Sequence, residues 1–208
     1  MRTTKFDVNN LTLKKLVTEL SKYKTVEDLL LFAIKHFNTI GAGAYRRVWK
    51  VKLINKMVVL KIATCEETTH SNGTEVRVYE KCRNLSMSVL SKIYAYDTTN
   101  IVRRSKHKPL SVEPRWVVSE YIPNRPTNES IRNYFNISLE DWDNHINDFC
   151  GYSILDFFDS RKKDQKNNIW YQEFKKLLRV TKVADLHSGN FRCNEENMPV
   201  LVDYGCVN

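Results

Sequence analysis

The sequence predicts an α+β protein in two lobes, and three observations carry that prediction. β-Branched and aromatic runs broken by turn residues crowd the first half of the chain, between residues 37 and 122, and read as consecutive antiparallel strands. Helical periodicity takes over from about residue 127. Runs of strands followed by runs of helices are the pattern of an α+β fold, and the Pro- and Asn-rich "PNRPTN" at 123–128 is the natural boundary between lobes.

The elements follow in order. "LTLKKLVTEL" at 11–20 spaces its leucines for one helical face, and "TVEDLLLFAIKHF" adds a second helix with Thr25 as its cap and acidic residues in its first turn. Residues 1–36 therefore form a helical extension. Strands are expected near 37–41, 45–53 and 57–63, where "GAG" and "INK" mark the turns. The polar stretch "EETTHSNG" is read as a loop, and "TEVRVYEKCRNL" at 74–85 as a helix. "SKIYAYD" and "RWVVSEYI" supply two more strands, completing a lobe of five strands and one helix over 37–126. In the remainder, 127–208, "SLEDWDNHINDFCGYSILDFF" and "NIWYQEFKKLLRV" are helical, "SRKKDQKNN" is a loop, and "NFRC" and "PVLVDYG" return to short strands.

Composition narrows the function. Apolar residues at 42% and charged residues at 27% suit a folded globular chain. The longest apolar run, "LLLFAI", is far short of the roughly 18 residues that span a bilayer, and the N-terminus lacks the apolar core of a secretory signal. A cytoplasmic protein is expected, in the host cytoplasm if the source is a phage or virus. Five scattered cysteines without a C-x-x-C suit reduced thiols and no zinc site. The net charge of +9 favours acidic partners, yet no nucleic-acid recognition motif accompanies it. Oligomeric state is left open.

Two features invite chemistry. Gly41 and Gly43 in "IGAGAYRRV" lie between strands, where they would serve a tight turn or let the backbone approach a phosphate. Lys61 in "VVLKIA" sits in an apolar strand; on an edge it would reach water, whereas on a central strand it needs an anionic partner, and Glu75 on the following helix is the natural one.

Glycine hairpin, strand lysine, helix glutamate and a later Asp, Asn, Asp set is the order of the protein-kinase signature, and the chain resembles that superfamily. "GAGAYRRV" is similar to the glycine-rich loop, with Arg46 where the third glycine would stand, and "VVLK" to the strand bearing the phosphate-binding lysine. "EVRVYEKC" resembles the helix of the pairing glutamate, favouring Glu75 over Glu80. The resemblance implies ATP and Mg²⁺, with Gly41, Gly43, Val48 and Lys61 around the nucleotide, Glu120 and Ile122 meeting adenine through their backbones, and Ser119 bordering the pocket.

"VADLHSGN" resembles the catalytic loop, implying Asp185 as base and Asn190 as a magnesium ligand, and "VDYG" resembles D-F-G, implying Asp203 as the second ligand. Asp185, Lys61 and Glu75 are thus the implied catalytic set. Ala184 stands where regulated kinases carry arginine, so control by activation-loop phosphorylation is not expected. His187 stands where the catalytic-loop lysine would be, either contacting phosphate or packing the loop. The sequence stops three residues after "DYG", which gives the expected two-lobed kinase-like fold a reduced, mainly helical C-lobe, nearest to bacteriophage T7-type early Ser/Thr protein kinases. The expected function is phosphorylation of host proteins, docked on basic segments such as "VRRSKHK". A small-molecule phosphotransferase and a catalytically silent kinase-like binding protein are the alternatives.

Overall fold

The computed structural model describes residues 6–85, 87–103, 106, 110–161 and 168–206. Most of the "VRRSKHK" segment and of the "SRKKDQKNN" loop lies outside these residues. The chain is α+β and divides into two compact units, one of residues 1–76 with 92–121, the other of residues 77–91 with 122–208.

The first unit begins with helices α1 (Leu13–Leu20) and α2 (Val26–His36). Thr12 and Thr25 cap them, their hydroxyls accepting from Lys15 N at 3.2 Å and Asp28 N at 3.1 Å. The Val26 N–H, orphaned at the helix start, is taken by the Glu66 carboxylate at 2.8 Å. Strands β1 (Asn38–Ala42), β2 (Arg46–Lys52) and β3 (Met57–Ala63) follow, then helix α3 (Thr69–Arg83), strand β4 (Ile93–Tyr96), the small hairpin β5 (Ile101–Val102) and β6 (Ser111–Val112), and strand β7 (Trp116–Glu120). Five of these strands form one antiparallel sheet in the order β1-β2-β3-β7-β4.

Alternation along the strands sorts the two faces of this sheet. Trp49, Val51, Val58, Leu60, Ile62, Trp116 and Val118 form one core with Leu16, Leu20, Leu29, Phe32 and Ala33 of α1 and α2. The N-terminal helices thereby cover one face. Arg46, Val48 and Lys61 alternate onto the opposite one.

One expectation is corrected here. The polar "EETTHSNG" is not a loop: a single 3₁₀ turn at Glu66–Thr68 runs into α3, which starts at Thr69 instead of near residue 74. Its first turns are polar yet buried, and the side-chain donors of Asn72 and Thr69 are bonded internally. Asn72 Nδ2 donates to the carbonyls of Pro114 at 3.0 Å and Arg115 at 3.1 Å, and the Thr69 hydroxyl donates to Glu66 O at 2.9 Å. Hydrogen bonds replace the apolar stripe that periodicity looks for.

The second unit holds α4 (Asn128–Phe135), α5 (Leu139–His145), α6 (Gly151–Ser160), α7 (Ile169–Thr181) and the hairpin of β8 (Phe191–Cys193) with β9 (Pro199–Leu201). The apolar run expected as one helical stretch breaks between α5 and α6, where Asn147 adopts φ 62°. Phe149, Ile154, Phe158, Trp170, Phe174, Leu186, Phe191, Leu201 and Tyr204 lie in its core. Trp170 Nε1 donates to Pro199 O at 2.7 Å, tying α7 to the hairpin. A Cβ added to Gly151 would lie 2.9 Å from the Phe174 ring, so this helix start packs at a distance only glycine allows.

Two tests follow from these contacts. Gly151→Ala should destabilise the protein by about 1–3 kcal/mol through overpacking, read as a lower urea midpoint with unchanged slope. The second concerns Asp97, which is buried against Arg115: burial pushes its carboxyl up, but the bonds from Arg115 Nε at 2.6 Å and from Thr99 outweigh burial and hold it below its ordinary value. A depressed folded-state pKa contributes stability above the unfolded value of about 3.9 and loses it as pH falls through the folded one. The stability gap between wild type and Asp97→Asn should therefore narrow below about pH 4, measured by urea titration at stepped pH.

Candidate functional site

Each unit gathers its own set of the sequence-singled residues. In the first, β1 and β2 form the glycine hairpin, closed by Gly43 N–H to Arg46 O at 2.9 Å. Neither glycine has positive φ, and a Cβ at Gly41 or Gly43 would meet its nearest neighbour only at 3.8 Å. The chain conformation thus does not itself require glycine at either position. What the two glycines provide is a bare backbone.

Lys61 lies on β3, which has β2 on one side and β7 on the other. It is not an edge lysine. Its Nζ donates to Glu75 Oε1 at 2.5 Å, and both residues are buried, Glu75 completely. The alternative carboxylate, Glu80, instead faces Arg83 on the surface at 3.6 Å. Helix α3 brings Glu75 to this point because its polar first turns are anchored to the Pro114 and Arg115 carbonyls just before β7.

The sequence reading missed the third member of this cluster. Arg46 is 6% exposed and donates through Nη1 to Glu75 Oε2, so one buried carboxylate carries a cation on each oxygen. The signal was present in the hairpin register. Val48 pairs with Lys61 and Arg46 stands two residues before Val48, which puts Arg46 on the same face, diagonal to the lysine.

At the end of β7, Glu120 N–H donates to Lys92 O at 2.8 Å, while Lys92 N–H donates to the Glu120 carboxylate at 3.2 Å. Its N–H is thus committed within the first unit. Ser119 is buried beside it. Ile122 belongs to the second unit.

In that second unit, Asp185, His187 and Asn190 share the loop entering β8, and Asp203 follows β9. The hairpin register pairs Phe191 with Leu201, so the residues flanking it come together: the N–H groups of Val202 and Asp203 both reach Asn190 O, at 2.8 and 3.3 Å. Asp185 takes the left-handed conformation, φ 61°, a strain of about 1–3 kcal/mol for a non-glycine residue that Asp tolerates better than most. Four hydrogen bonds hold it. Asn190 Nδ2 donates to Asp185 O at 2.7 Å and to its Oδ2 at 3.1 Å, Ala184 N–H reaches Cys206 O at 3.0 Å, and Leu186 O accepts from Gly151 N–H at 2.8 Å.

His187 folds back over the loop. Its Nδ1 accepts from Gly189 N–H at 3.0 Å, and its Nε2 lies 3.5 Å from Asp185 Oδ1. A Cβ on Gly189 would stand 2.6 Å from the imidazole Cε1. The glycine therefore permits this ring position.

The donor chemistry here suits a hard cation. With Nδ2 turned to Asp185, Asn190 would offer Oδ1, and Asp203, whose N–H bonds the Asn190 carbonyl, would offer carboxylate oxygens, an all-oxygen pair. Among the described residues no three His, Cys, Asp or Glu side chains cluster as a metal site. A cation on this pair would complete its shell with water and ligand oxygens, as Mg²⁺ does in phosphate sites.

No protein-family model matches the chain, and no curated protein matches it. Among the described residues no helix is long and apolar enough to cross a membrane.

The cluster around Glu75 predicts a sharp cost of neutralisation. Glu75→Gln leaves two buried cations facing an amide, and breaking such a network should cost about 3–5 kcal/mol, read from urea unfolding. Glu80→Gln, on the surface, should cost under about 0.5 kcal/mol.

Proposed function

We propose that this protein is an ATP- and Mg²⁺-dependent phosphotransferase with a protein-kinase-like arrangement, transferring the γ-phosphoryl group to a Ser or Thr hydroxyl of a protein. The observation that carries this reading is Lys61: a lysine on a central strand, its Nζ 2.5 Å from a fully buried glutamate, on the sheet face that carries Val48 next to the glycine hairpin. A lysine so held is a fixed positive charge, suited to phosphate oxygens at an unvarying position. The bare hairpin backbone at Gly41 and Gly43 supports the same use.

In this mechanism Lys61 neutralises the α- and β-phosphates and the Glu120 carbonyl and Ile122 N–H orient adenine. The Asp185 carboxylate takes the proton of the attacking hydroxyl while the bond from γ-phosphorus to the bridging oxygen breaks, leaving ADP and a phosphate ester. Mg²⁺ held by Asn190 and Asp203 would supply neutralisation of the charge developing on the phosphate oxygens. Asn190 also clamps Asp185 through its amide, so one side chain would serve both the cation and the base.

The test is incubation with Mg²⁺, γ-labelled ATP and host lysate, beside Asp185→Ala. Label on proteins that falls by about 10²-fold or more in the variant supports the reading. Nucleotide binding without transfer to any acceptor overturns it in favour of a silent binding protein, and label confined to small metabolites overturns the protein acceptor. Gly189→Ala adds a finer check. Its Cβ displaces the exposed His187 ring, so transfer should fall roughly tenfold while the thermal midpoint stays within about 2 °C.

A further inference from the structure

Arg46 joins two things that the proposed mechanism needs. Its carbonyl accepts the Gly43 N–H at 2.9 Å and closes the glycine hairpin, and its guanidinium binds Glu75 Oε2. The neighbouring residues are tied down as well: Thr64 N–H donates to Tyr45 O at 3.0 Å and the Thr64 hydroxyl donates to Ala44 O at 3.1 Å. The hairpin tip, the end of β3 and the start of α3 are therefore linked through one short stretch.

From this geometry we infer that Arg46 is a positioning residue that presets Lys61 for nucleotide before any ligand arrives. Glu75 is fully buried, so each of its oxygens needs a donor. With Arg46 on Oε2, the carboxylate presents Oε1 to Lys61, and the lysine Nζ has one defined place. Lacking Arg46, the carboxylate can turn to satisfy both oxygens from Lys61 alone, drawing the ammonium away from the hairpin and freeing the start of α3. The ion pair is in this way built into the resting fold, with no separate event needed to bring helix and strand together. The inference rests on the phosphotransferase reading for its consequence in catalysis, and on the fold alone for its consequence in α3.

A double-mutant cycle tests it. Arg46→Ala should lower kcat/KM for ATP about 10²-fold, the scale expected when a charged group is misplaced by an ångström. Because Arg46 acts through Glu75, adding Arg46→Ala to Glu75→Ala should change kcat/KM by less than about threefold. Arg46→Lys, which returns a cation to Glu75, should recover roughly tenfold of the loss. In nucleotide-free protein, amide exchange over residues 69–76 should quicken at least about tenfold in Arg46→Ala. Additive losses in the double variant would mean that Arg46 touches nucleotide itself and would overturn the inference. So would wild-type activity or unchanged exchange in Arg46→Ala. A wild-type protein that neither binds nor turns over ATP would instead defeat the phosphotransferase reading, with the exchange result still deciding whether Arg46 fixes α3.

Discussion

The first unit is organised around a single carboxylate that has no access to water. Glu75 is completely buried, and a buried charge is tolerated only where opposite charge and hydrogen bonds surround it. That requirement brings Lys61 from the central strand and Arg46 from the hairpin onto its two oxygens. It also explains why the start of α3 is polar: the helix must bring Glu75 to the sheet, and Asn72 anchors it by bonding the chain just before β7. On the other face, α1 and α2 bury the apolar side of the same strands. One face of the sheet thus packs against α1 and α2, and the other carries the buried charge cluster.

In the second unit the constraint is a short hairpin. Pairing of β8 with β9 brings Asn190 beside Asp203 at its base, and Asn190 in turn holds Asp185 in a left-handed conformation. Three polar residues scattered over 19 positions become one constellation through three paired residues in each strand. The packing beneath is aromatic. Phe174 and Phe191 close over Gly151, whose N–H bonds the Leu186 carbonyl next to Asp185. Core packing and loop geometry are therefore coupled through Gly151.

How much of this was readable in the sequence depended on what each element was made of. The antiparallel sheet was legible because β-branched residues and turn punctuation mark strands directly; β2 and β3 differ from their expected spans by at most a residue at either end. The beginning of α3 was not, because its positions 69–75 are held by side-chain hydrogen bonds to residues about forty positions away, which no local periodicity records. Glu75 as the partner of Lys61 could be anticipated, since a lysine among Val59, Leu60 and Ile62 needs an anion. Arg46 was hidden by its resemblance to a glycine position in a motif. Cross-strand register, which places it diagonal to Lys61, would have shown it.

In the proposed phosphotransferase, Lys61 is a fixed charge for nucleotide phosphate. Labelling with an acyl-phosphate derivative of ATP, which acylates a lysine lying against the phosphates, measures this directly when the site is mapped by peptide mass spectrometry. Label is expected on Lys61, suppressed by excess MgATP, while exposed lysines such as Lys52 are labelled without regard to competitor. Label spread over surface lysines and insensitive to MgATP, with Lys61 unmodified, would contradict it.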